Sequence, residues 1–191
     1  HFVKSADQPY KRLLWGLLIF ALVNSSDVLL LLKMKDDGVE DVTIITIYIF
    51  YNLIYALAAF PAGIIADKWG IKPTFIFGLV LFVAVYVGFA FIENELGYWI
   101  LFFLYGIYAA CTEGIAKAWI TNIVNKETAG TAIGAYSGLA SISAFIASAM
   151  AGLLWTFSGP ALAFGFTAAV VFGVIVYLFR IPVKVQNTSV V

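Results

Sequence analysis

Apolar runs long enough to cross a bilayer alternate with short polar breaks along almost the whole chain. After a polar start over residues 1–12, the first run (13–32) reads LLWGLLIFALVNSSDVLLLL, and KMKDDGVED closes it as a charged turn containing Gly38. A second run covers about 43–66 and ends at DKWGIK; the third, about 73–92, begins at Pro73, a residue suited to the first turn of a helix. ENELG introduces a fourth run over about 98–124, long enough to require tilt. NKETAG leads into the fifth (131–157) and SGP into the sixth (161–179), while 182–191 form a polar tail. Each run approaches the roughly 20 apolar residues that span hydrocarbon. Six transmembrane helices are therefore predicted over 13–181, flanked by a linker or tail at 1–12. Lys4, Lys11 and Arg12 precede the first run as basic residues precede a signal peptide, but the run is too long and lacks a small-residue cleavage site.

Composition agrees and narrows the function classes. Of 191 residues 63% are hydrophobic and 12% charged, about half the charged share of an average soluble domain, and the mean hydropathy is +0.99. Eleven basic residues balance eleven acidic ones, so no net field attracts nucleic acid, and no nucleic-acid partner is expected. Cys111 is the only cysteine and His1 the only histidine. An intrachain disulfide, a Cys-rich metal site and a His-ligated cofactor are thus not expected.

The few charges are strongly sided. Lys4, Lys11, Arg12, Lys68, Lys72, Lys126, Arg180 and Lys184 fall on the termini and the two turns at 67–72 and 125–130. The opposite loops carry only Lys33 and Lys35, with Asp36, Asp37, Glu40, Asp41, Glu93 and Glu95. The positive-inside rule places both termini in the cytoplasm, as expected for an integral protein of a bacterial inner (plasma) membrane.

Spans three and six hold almost nothing polar, only Thr74 and Tyr86 in one and Thr167 and Tyr177 in the other, and read as lipid-facing. Spans one, two, four and five carry the polar groups, which in hydrocarbon must turn toward protein or a water-filled cavity. The order polar, polar, plain occurs twice, the trace that two inverted three-helix repeats would leave.

Span one contains Asn24-Ser-Ser-Asp27 toward its outer end. Asp27 lies about 21 Å along the helix from Leu13, at a depth where a carboxylate costs on the order of 2.5 kcal/mol unless paired or hydrated. Either it forms a proton or cation site, or the four polar residues satisfy one another and a broken helical turn. In span two, Tyr48, Asn52, Tyr55, Ala59 and Gly63 form one stripe. Asn52 and Tyr55 line a pore there, or Asn52 bonds a neighbouring helix; Pro61 favours a kink. In span four Glu113 and Lys117 stand four apart in the order that favours an ion pair, as a coupling or substrate element or as a structural latch. Span five opens with Gly130, Gly134 and Gly138, a series that permits close helix packing.

The turn after span two reads Gly63-Ile-Ile-Ala-Asp67-Lys68-Trp-Gly70-Ile-Lys72. It resembles the GxxxD(R/K)xGx(R/K) signature that the major facilitator superfamily carries between the second and third helices of each six-helix half. RLLWGLLIFALVNSSDVLLLL, LYGIYAACTEGIAKAWITNIVNKETAGTAIGAYSG and GLLWTFSGPALAFGF extend the resemblance over about residues 10–181, and these stretches look like a carboxy-terminal half. The resemblance implies secondary active transport of a small solute by alternating access, with spans one, two, four and five lining a cavity and three and six facing outward. It makes Gly63, Asp67, Lys68, Gly70 and Lys72 a cytoplasmic gating loop. Asn24, Asp27, Asn52, Tyr55, Glu113 and Lys117 are carried as substrate or coupling candidates from position alone, with proton coupling through Glu113 or Asp27.

One half of such a transporter leaves its cavity open. The expected partners are the solute, the bilayer, and either the other six-helix half, in a chain of which this is a fragment, or a second copy in a half-size homodimer. A non-transporting scaffold or receptor with the same fold is the alternative. An intramembrane enzyme is not expected, because Ser137, Ser141 and Ser143 have no accompanying base.

Overall fold

The computed structural model describes residues 2–181, apart from the side chain of Lys4; His1 and the tail 182–191, including Lys184, lie outside the described residues. A short helix α1 (Phe2–Ser5) is followed by α2 (Gln8–Ala21), α3 (Val28–Asp36), α4 (Asp41–Trp69), α5 (Ile71–Phe91), α6 (Glu95–Ile123), a 3₁₀ turn (Lys126–Thr128), α7 (Ala129–Ser158) and α8 (Pro160–Arg180). The protein is all-helical, and five of these helices, α4 to α8, are long and apolar enough to cross a membrane. The first predicted span is the exception to the expected six. Asn24, Ser25, Ser26 and Asp27 have side chains that compete for backbone hydrogen bonds, and over 22–27 the helix gives way to a break between α2 and α3.

Helix ends follow local chemistry. Asn94 caps α6 by accepting from the Gly97 amide at 2.8 Å. Gly70, at φ 102°, turns the chain from α4 into α5 in a conformation that disfavours a side chain. Lys72 then donates to the carbonyl oxygens of Phe179 at 3.0 Å and Ile181 at 2.8 Å, meeting acceptors at the C-terminal end of α8 and just beyond it. Through α4 the helix continues past Pro61.

α6 is the hub. It packs against α4 and α5, and α5 packs in turn against α8, while α2 and α7 close the other side. Two close approaches define these seams: a Cβ on Gly106 would stand 2.8 Å from Ile54 Cγ2 and 3.0 Å from the Tyr51 carbonyl oxygen, and one on Gly78 would stand 2.6 Å from Thr112 Cγ2. Aromatic rings fill the space between, with Phe82 stacked on Tyr86 at 4.0 Å and Tyr105 tilted against Tyr108 at 5.1 Å.

The plain helices α5 and α8 each bury one side against the bundle and keep another free. Half of the most apolar stretch of α5 and 44% of that of α8 are buried, against 17% in both α4 and α7. Apolar composition suits a protein neighbour as well as lipid, because lipid tails are as apolar as leucine. The glycine series on α7 departs from its expected role. A Cβ on Gly130, Gly134 or Gly138 would meet nothing within 4 Å, and the same holds for Gly63. None of these glycines makes its close packing inside the described chain.

Candidate functional site

Two carboxylates of the helical region are each held by a tyrosine from another helix. Asp27, at the start of α3, accepts from the Tyr105 hydroxyl of α6 at 2.7 Å. Glu113 of α6 accepts from the Tyr55 hydroxyl of α4 at 2.9 Å. Their surroundings differ: Tyr105 is buried among the core rings, whereas Glu113 lies on an exposed face of α6. Tyr51, stacked on Tyr48 at 5.6 Å and tilted against Tyr105 at 5.1 Å, bridges the space between. Asp27 and Glu113 are within electrostatic reach of each other, and Tyr136 of α7 is within reach of Glu113. Elements α3, α4, α6 and α7 therefore contribute to one polar face.

Glu113 and Lys117 do not form the ion pair their spacing allows. The only ion pairs among the described residues are Lys33 with Asp37 and Lys35 with Asp41. A four-residue spacing permits a salt bridge without forcing it, and the gain from such a pair on a helix is only about 0.2–0.5 kcal/mol. The phenol across the helix interface takes the glutamate instead, and Lys117 remains exposed beside it. The Asn52 amide donates to the Tyr48 carbonyl on its own helix at 2.8 Å.

The break is tied to α7. The Ser26 amide donates to Ser148 Oγ at 3.1 Å, while Ser148 donates back to Ala144 at 3.0 Å. Asn24 Oδ1 is buried with no partner, and so is the hydroxyl of Tyr86 on α5. At the C-terminal end of α3, Lys33 is buried against Asp37, which also accepts from the Tyr98 hydroxyl at the start of α6. Tyr105, Ser148 and Tyr98 complete these sites without a local sequence signal. Tyr105 is 78 positions from Asp27, so the pairing is created by helix docking alone.

Three residues of the loop motif, Asp67, Gly70 and Lys72, line a cavity of about 300 Å³ at the basic end together with Trp119 and Asn122 of α6. Asp67 is exposed there, and Lys68 points outward beside it.

A family model described as Major Facilitator Superfamily matches residues 13–190. The chain belongs to the major facilitator superfamily. An uncharacterized MFS-type transporter of Methanocaldococcus jannaschii is 30% identical over 162 residues, which cover 82% of this chain and 41% of that relative. The crystal structure of PepTSo, a POT family transporter, superposes with a TM-score of 0.69 at 13% identity, covering 96% of this chain and 40% of the other. The chain thus spans well under half the length of both, and at that identity the structural likeness carries the fold alone. As a member of this transporter family the protein is an integral membrane protein and not an enzyme.

Proposed function

We propose that this chain forms the carboxy-terminal six-helix half of a secondary active transporter that moves a small solute by alternating access, with Glu113 as the proton-coupling group. In this reading the two pieces of span one count as one crossing, the basic end faces the cytoplasm, and the protein resides in the plasma membrane. The observation that carries the proposal is the exposed Glu113 carboxylate, held by Tyr55 and unpaired with Lys117. An intramembrane carboxylate with a hydroxyl partner but no countercharge can take and release a proton at modest cost, whereas one locked to an ammonium cannot.

The sparsely buried helices α4 and α7 supply the surface for the rest of the transporter. Phe60 of α4 and Phe145 of α7 are each 77% exposed, and the open glycines of α7 offer a surface for close backbone approach. The other six-helix half fits that surface; a second copy of this chain would serve the same geometry. Asn24, Asp27, Asn52, Tyr55, Glu113 and Lys117 face or flank the solute path, and Gly63, Asp67, Lys68, Gly70 and Lys72 form the cytoplasmic gate.

The test is uptake of candidate solutes by the full-length protein in proteoliposomes, with and without an imposed pH gradient. Uptake driven by the gradient, and loss of that drive in a Glu113→Gln variant that still folds, are expected. Uptake with a rate indifferent to the gradient would remove the proton from the mechanism.

A further inference from the structure

The break in span one concentrates oxygen acceptors that no donor reaches. Over 22–27 the chain is not helical, and among the described residues no donor pairs with the carbonyl oxygens of Leu22, Asn24 or Ser25. Asn24 Oδ1 is buried and unpartnered as well. Asp27 adds a carboxylate whose one hydrogen-bond donor is Tyr105. Backbone groups freed in a membrane must be met by protein, water or an ion, so an unwound stretch there needs such a partner.

The donors around Asp27 are all uncharged. Asp27 is faced by Tyr51 of α4, Tyr86 of α5, and Tyr105, Tyr108 and Glu113 of α6. No lysine or arginine is among them. Tyr86 is 1% exposed, and its hydroxyl lies beside Ser25 and Tyr105 without a well-aligned hydrogen bond. The carbonyl end of α2 also points its partial negative charge into the break. A surplus of acceptors, one formal negative charge and a helix C-terminus together describe a receptor for a positive ion.

We propose that the break between α2 and α3 binds a small monovalent cation, sodium, through the Asp27 carboxylate, Asn24 Oδ1 and the unpaired carbonyl oxygens of Leu22, Asn24 and Ser25. The ligand set is hard oxygen with a single charge, which suits an alkali ion; calcium and magnesium sites collect more carboxylates or phosphates. No cluster of three or more His, Cys, Asp or Glu residues able to hold a metal exists among the described residues; within the break Asp27 is the one acidic side chain, with Glu113 of α6 in electrostatic reach. The cation neutralises Asp27 and joins the two helix pieces across a gap that the backbone leaves open. The site is distinct from the Glu113 proton site of the proposed function, and binding there does not depend on that reading.

The full-length protein, purified in detergent at fixed pH and ionic strength, is heated with sodium chloride progressively replacing choline chloride. A saturable rise in apparent melting temperature with sodium is expected, because a ligand bound only by the folded state stabilises it by mass action. Asp27→Asn is expected to abolish the rise. Asn24→Ala should move half-saturation to about tenfold higher sodium, equivalent to about 1.4 kcal/mol. Equal curves in sodium, potassium and choline overturn the site, as does a sodium response that survives Asp27→Asn. If Asp27→Asn does not fold, equilibrium binding of radioactive sodium to the wild type and to Asn24→Ala decides: no saturable binding, or binding unchanged by Asn24→Ala, overturns the proposal. Sodium binding without solute uptake would sink the transport reading and leave the site intact; uptake without sodium binding would do the reverse.

Discussion

Asp27 and Glu113 pose the same problem and receive different solutions. Both carboxylates lie in a membrane-embedded bundle, and both accept from a tyrosine on another helix. Glu113 sits on an unbroken 29-residue helix, on a face the described chain leaves exposed. Asp27 sits where the helix stops, enclosed by rings and beside backbone oxygens without donors. A continuous helix satisfies its own backbone, so at Glu113 only the side chain needs a partner. At the break the backbone needs partners too, and one tyrosine cannot supply them. The contrast teaches that the charge alone does not define a site; the state of the backbone beneath it decides whether a proton suffices or an ion with several ligands is required.

The seam beside Tyr105 gives the sharpest way to break this comparison. Gly106 lets α6 approach α4 so closely that an added methyl would press on Ile54 at 2.8 Å and on the immobile Tyr51 carbonyl at 3.0 Å. Gly106→Ala is expected to cost about 1–3 kcal/mol, the usual penalty of overpacking, and to move Tyr105 away from Asp27. Unfolding of the full-length protein in mixed micelles measures the cost. A neutral result would mean that the seam is looser than these distances and that the enclosure of Asp27 is not a fixed feature.

Removing the phenol hydroxyls compares the two solutions directly. Tyr105→Phe leaves Asp27 with no side-chain donor inside a buried shell, and a loss of about 1–2 kcal/mol is expected, toward the upper end for interhelical hydrogen bonds in membranes. Tyr55→Phe acts on an exposed carboxylate that water can reach, and its stability cost should fall below about 1 kcal/mol. The same unfolding measurement ranks them. Equal costs would mean that Glu113 is as enclosed in the assembled protein as Asp27 is here.

Much of this contrast was visible in the residues before the fold, and the parts that were not have physical reasons. Asp27 and Glu113 stand out because charge at membrane depth is expensive wherever it occurs. The Asn24-Ser-Ser-Asp27 stretch carried a signal for a broken turn through its local hydrogen-bonding side chains. The loop from Gly63 to Lys72 was legible as a family signature, and the family match over 13–190 supports it. Partners of the carboxylates were not legible, since Tyr105 and Tyr55 reach them only when helices dock. The expected Glu113 and Lys117 pair failed for the same reason, a local rule being overruled by a neighbour from another helix. How α5 and α8 divide their surface between protein and lipid was not legible either, because lipid tails are as apolar as leucine. The glycines of α7 show the limit from the other side: their spacing announces a contact, but the surface they would meet is not in the described chain.

The smallest effect tests the open half of the comparison. Gly114 follows Glu113 on the same helix, as Gly106 follows Tyr105, but a Cβ there would meet nothing within 4 Å. With no neighbour to displace, alanine should help rather than harm, because glycine in a helix interior is worse than alanine by roughly 0.5–1 kcal/mol. Gly114→Ala is therefore expected to leave the protein unchanged or raise its stability by up to that amount, opposite in sign to Gly106→Ala eight residues earlier. A clear loss of stability in the full-length protein would place another surface directly against Glu113. Water would then be excluded from that carboxylate, and its chemistry would have to be argued as a buried site like that of Asp27.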